Sequence, residues 1–190
     1  NDSMASLQTP DPRSAESAQQ RVHLAAALFV LIGCALQWWR MQSLTASMDQ
    51  GILMQVLWNG LRGHPFESTL SSQLSTNVIH SGELPALGYH RLGQHFTPIL
   101  ALWIPLVGLL GKWALPMLQV VLIPAAGLVR RRLGQRELKP VLAAMVTIAF
   151  CGANAVIAPC MLSNFTDLSQ LPLCVFLLLL GLERQQRWLT

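Results

Sequence analysis

Val22 to Trp39 runs for 18 residues with no Asp, Glu, Lys or Arg, and as a helix rising about 1.5 Å per residue it would extend roughly 27 Å, the hydrocarbon thickness of a bilayer. Similar apolar blocks follow at residues 113–129 and 140–162, with a shorter one at 168–182. A soluble domain is excluded. Hydrophobic residues make up 52% of the 190 and charged ones only 12%, with mean hydropathy +0.42, whereas a soluble chain carries about a quarter charged residues. The sequence predicts an all-α, polytopic membrane protein. Trp38, Trp39 and Arg40 close the first block with the aromatic and cationic edge expected at a membrane interface.

Cys34, Cys151, Cys160 and Cys174 all fall inside apolar stretches, so they read as buried hydrophobes rather than as a disulfide or metal framework. The net charge is +4 and the pI about 9.2. That positive charge lies beside the apolar blocks, where the positive-inside bias accounts for it, and no nucleic acid partner is expected. Residues 1–20 are polar and rich in Ser and Gln, with Pro10 and Pro12; they read as a disordered arm, not a signal peptide.

Between the first and second spans lies a long mixed segment, residues 40–112. Ile52, Leu53, Val56, Leu57 and Leu61 make one stripe of a surface helix, and Gly63-His64-Pro65-Phe66 stops it. Residues 96–111 are apolar but hold Pro98 and Pro105, marginal for crossing. Topology follows by parity from residues 130–139, which carry +4 and belong in the cytoplasm. If 96–111 crosses, the long segment is cytoplasmic; if 96–111 lies at the outer leaflet or re-enters it, the long segment is external. The prolines and the net charge of −1 of residues 41–95 favour the second, placing a large first loop outside the cytoplasmic membrane.

Within that loop stand Met48-Asp49-Gln50-Gly51-Ile52, Gln55 with Trp58-Asn59-Gly60, Gly63-His64-Pro65-Phe66-Glu67-Ser68-Thr69, and Gly93-Gln94-His95-Phe96-Thr97-Pro98-Ile99-Leu100. In order and spacing this series resembles the bacterial membrane proteins grouped as domain of unknown function 2079. Members of that family tend to carry Asp-Phe-His at a later external turn; here Asp167-Leu168-Ser169 keeps the acid and lacks the histidine. The family in turn is similar to the GT-C class of lipid-linked-sugar glycosyltransferases. The resemblance implies a GT-C-like helical bundle whose external first loop contains juxtamembrane helices, residues 21–190 forming the N-terminal part of such a domain.

It also implies a chemistry. Transfer from a polyprenyl-phosphate sugar needs a base for the acceptor hydroxyl and positive charge for the leaving phosphate. Asp49 and Asp167 stand at the two acidic places of the GT-C plan, as the implied catalytic residues and the carboxylates for Mg²⁺ or Mn²⁺. His95, with Trp58, Asn59, His64, Gln94 and Arg62, makes up the implied substrate-binding set. The partners implied are membrane lipid and the lipid-linked sugar donor. Simpler roles are open for several: Asp49 and Asp167 as helix N-caps, Trp58 as an interface anchor, Arg62 as a solvated loop residue. His90 and His95 are spaced for one helical face, but no third ligand of fixed spacing makes a zinc site. Asn164-Phe165-Thr166 matches a glycosylation pattern. The rival function is a non-catalytic polytopic protein, a transporter or a lipid-binding scaffold. Apart from His23 the four spans hold no ionisable group other than cysteine thiols, which weighs against transport.

Overall fold

The computed structural model describes residues 12–71, 89–93, 95–153 and 163–188. Helix α1 (Pro12–Gln42) is 31 residues long, about 46 Å, and so begins well inside the stretch expected to be a disordered arm. Proline suits the first helical position, and Ala15, Glu16, Ala18, Gln19 and Gln20 are good helix formers. Packing adds the decisive part: Ala18 and Val22, 3% and 2% exposed, cluster with Ala144. The first eleven residues of the arm lie outside the described chain. Leu44, with φ +55°, ends the helix in the left-handed region.

Three further helices build the bundle: α4 (Ala114–Gly134), α5 (Pro140–Gly152) and α6 (Leu171–Trp188), the last entered through a 3₁₀ turn at Asp167–Gln170. The α4 helix packs against α1, α5 and α6, and α1 packs also against α5. Two glycines let the helices approach. A Cβ on Gly33 would stand 2.5 Å from Val120 Cγ1, and one on Gly127 3.0 Å from Cys151 Sγ. Pro124 lies inside α4 and deletes one helix hydrogen bond, a defect that packed neighbours in membrane helices accommodate. At one end Trp38 stacks on Trp113 with centroids 4.4 Å apart; at the other Arg136 pairs with Glu183.

By length and composition, Arg13–Gln42 and the run Pro98–Gly134 are apolar enough to cross a membrane. The helix expected over 140–162 is described to Gly152, 13 residues and shorter than a span; residues 154–162 lie outside the described chain. The helix expected over 168–182 runs on to Trp188. The outer faces are apolar, with Leu24, Leu31, Ile32, Met145 and Leu178 all more than half exposed, as suits a surface wetted by lipid.

A second layer caps the Trp38 end. Helix α2 (Met48–Gly60) follows the turn after α1, and Pro98–Trp103 (3₁₀) leads into α3 (Ile104–Leu110). Gly111, at φ +54°, separates α3 from the next helical turn and α4. The segment 98–110 extends about 22 Å, short of the roughly 30 Å of bilayer hydrocarbon, and it packs on α2: Leu53 and Leu57 share one core with Leu100, Val107, Leu115, Leu118 and the fully buried Phe165. Every named element among the described residues is helical. The one pairing of extended backbone among those residues is an isolated bridge between Glu67 and His90.

Candidate functional site

Both acids are free of capping duty. The N-cap of α2 is Ser47, whose side chain accepts from the Gln50 N–H at 3.4 Å, and Asp49 sits exposed in the first turn. At the second acid the cap position is Thr166, whose N–H donates to Ser169 Oγ at 3.1 Å; Asp167 is the first residue of the turn. N-capping by Asp49 or Asp167, the simpler alternative from sequence, is thereby corrected: Ser47, two positions before Asp49, and Thr166, immediately before Asp167, take those places. Neither carboxylate makes a hydrogen bond or ion pair among the described residues.

The two acid-bearing segments are tied together. Ser47 N–H donates to Asn164 Oδ1 at 3.0 Å, and Arg40 Nη2 donates to the same oxygen at 3.1 Å. Behind this sits a buried knot on one carbonyl: Ser163 O accepts from Gln37 Nε2 at 3.2 Å, from Gln119 Nε2 at 3.4 Å and from Arg40 Nη1. Gln37 and Gln119 are each 1% exposed. Buried amide donors call for acceptors, and the shared Ser163 carbonyl holds α1 and α4 against the turn at 163–166. Trp103 Nε1 adds a 2.7 Å bond to Gln170 Oε1 on the far side of Asp167. The glycosylation pattern at 164–166 has its asparagine oxygen committed to this knot.

The far end of α2 carries a different site. Asn59, Arg62, His64, Glu67, Ser68 and Thr69 line an open cleft of about 350 Å³, so three of the expected binding residues, Asn59, Arg62 and His64, do converge. Gln55 holds the wall: its Oε1 accepts from Ser68 Oγ at 2.8 Å and Leu70 N–H at 3.2 Å, while Nε2 donates to Thr69 Oγ1 at 2.8 Å. Asn59 Nδ2 donates to Glu67 O at 3.0 Å. Glu67 lies between two imidazoles, 3.5 Å from His64 Nδ1 and 3.8 Å from His90 Nε2. Phe66 takes φ +64° there, a strained value for a non-glycine residue. Arg62 lies over the Trp58 ring, 5.1 Å from its centroid.

Asp49 is in the first turn of α2 and Asn59 in the last, ten residues or about 15 Å apart along the axis. Asp49 and the cleft are therefore separate places on α2. His95 is exposed, with its backbone N–H bonded to Arg91 O at 2.9 Å; Gln94 lies outside the described residues. Among the described residues no group of three or more His, Cys, Asp or Glu side chains could hold a metal ion, the Glu67, His64 and His90 cluster included. Sequence reasoning missed Glu67, Gln55 and the Arg40–Asn164 tie. Glu67 was within reach, since it stands in the quoted Gly63–Thr69 series.

Residues 40–190 match the model of a family described as predicted membrane protein (DUF2079). The chain belongs to this family. No curated protein and no solved structure matches the chain. The DUF2079 match begins at Arg40, within the polar knot, and takes in both acids and the cleft.

Proposed function

We propose that this DUF2079 chain is part of a membrane glycosyltransferase of GT-C architecture, using a polyprenyl-phosphate-linked sugar at the outer face of the cytoplasmic membrane. The observation that carries the reading is the Ser47–Asn164 bond of 3.0 Å, which ties the segments bearing Asp49 and Asp167 at one end of the bundle, away from the Arg130-Arg131-Arg132 end of α4. The positive-inside bias assigns that basic end to the cytoplasm and so gives the acids the compartment in which a flipped lipid-linked sugar is presented. Asp49 takes the proton of the acceptor hydroxyl; the hydroxyl oxygen bonds to the anomeric carbon as the bond to the phosphate oxygen breaks, releasing polyprenyl phosphate. Asp167 orients the acceptor. Mg²⁺ or Mn²⁺ held by the two acids would supply charge neutralisation at the leaving phosphate. The cleft at the other end of α2 takes a more distant part of the acceptor or of an extended sugar.

The test begins with topology. In a variant lacking the native cysteines, single cysteines at Ser81 and Gln135 are treated in intact cells with a membrane-impermeant thiol reagent. Labelling at 81 and protection at 135 is the expected result. Protection at 81 that is lost on permeabilisation would put Asp49 in the cytoplasm and remove the donor from reach.

A further inference from the structure

The basic end of the bundle holds a second cleft, of about 380 Å³, between α1 and α4. Its polar rim is Gln19, His23, Arg131, Arg132 and Gln135, with no acid among the lining residues. Arg131 is 5% exposed, and its Nε is buried with no hydrogen-bond partner. The neighbouring cations are already occupied: Arg130 donates to Val146 O at 3.1 Å and lies over the Phe150 ring, and Arg136 pairs with Glu183. Glu16, exposed on α1, forms no ion pair with Arg131 or Arg132. A buried guanidinium without a counter-charge is a costly arrangement, and an anion entering the cleft removes the cost.

The walls specify the anion further. Ala125, Leu128 and Val129 make an apolar slope beneath the rim, and Leu24 and Leu28 on α1 present exposed apolar surface. Two guanidiniums above an apolar slope match a phosphate carried on an acyl chain, with paired N–H donors for the phosphate oxygens. We propose that this cleft binds a phosphate ester, with Arg131 and Arg132 gripping the phosphate, and that an anionic phospholipid supplies it. The site is separate from the acid end and does not depend on the glycosyltransferase reading.

The experiment uses the full-length protein in detergent and follows its thermal midpoint against added phosphatidylglycerol, phosphatidylcholine and inorganic phosphate. A saturable rise with phosphatidylglycerol alone, with half-saturation about tenfold weaker in Arg132→Gln, supports the proposal with a lipid as the source. A rise with inorganic phosphate that shows the same dependence on Arg132 supports the phosphate site and assigns a soluble ligand to it. Arg131→Met guards against a folding artefact: with the unpaired charge gone, the lipid-free protein should melt no lower than the parent and should lose the response. Equal stabilisation by phosphatidylcholine, no stabilisation by either phosphate source, or a response unchanged in both variants would overturn the proposal.

Discussion

Arg40 and Asn164, 124 positions apart in the chain, are joined by a 3.1 Å hydrogen bond from Nη2 to Oδ1. The oxygen also receives the Ser47 N–H, so a single side-chain atom holds the end of α1, the start of α2 and the turn before Asp167. Asn164→Ala removes the acceptor from both donors at once. A stability loss of about 3 kcal/mol is expected from one charge-assisted and one backbone bond, seen as a lowered thermal midpoint in detergent. Asn164→Asp, which keeps the acceptor for both donors and adds a counter-charge for Arg40, should stay within about 1 kcal/mol of the parent. Equal loss in both variants would mean the amide acts through its N–H₂ group instead.

The acids should behave in the opposite way. Because neither Asp49 nor Asp167 has a side-chain partner among the described residues, Asp49→Asn and Asp167→Asn should change stability by no more than about 0.5 kcal/mol. Under the proposed chemistry each should still lower sugar transfer by about a hundredfold or more. Measuring melting and transfer on the same preparations separates this from a structural role, in which both quantities fall together.

Gly33 and Val120 mark a close approach of α1 to α4, since a Cβ on the glycine would stand 2.5 Å from Val120 Cγ1. Valine is stiff at χ1, and Val120 is fully buried, so it has little room to yield. Gly33→Ala should cost about 1 to 3 kcal/mol through overpacking. Val120→Ala in the same chain should restore part of it, giving a favourable coupling in a double-mutant cycle; additivity would show that the helices do not meet there.

Gln55 serves three residues of the cleft wall: Ser68, Thr69 and Leu70. In Gln55→Leu the lost bonds should cost about 2 kcal/mol and loosen the wall, read as faster limited proteolysis between residues 61 and 71. Gln55→Glu retains the acceptor for Ser68 and Leu70 and should be cut more slowly than the leucine variant.

Much of the helical content was legible in the order of residues. Hydropathy is summed over neighbours in the chain, so the apolar blocks at 22–39 and 113–129 already marked the cores of α1 and α4, and Pro140 with the polar turn at 163–170 marked starts of α5 and α6. The surface helix was readable from its Ile52, Leu53, Val56 and Leu57 stripe. Local chemistry went astray where several neighbours qualified: Ser47 and Asp49 both suit a cap, as do Thr166 and Asp167, and the backbone trajectory chose the hydroxyl residue each time.

Other features had no local signature. The helix before Val22 depends on Ala18 meeting Ala144, a contact that no window around Ala18 contains. Gln37, Arg40 and Gln119 look like isolated polar residues in or beside apolar blocks until the fold brings all three to the Ser163 carbonyl. The same holds for Arg131, which reads in sequence as one of three equivalent arginines; only packing pairs Arg130 with α5 and leaves Arg131 buried without a counter-charge. Sequence by itself determined what must be shielded from water, because side-chain transfer free energies belong to each residue alone. Tertiary structure decided which polar groups share a partner, because hydrogen bonds and charge pairs require atoms from distant parts of the chain to come within about 3 Å.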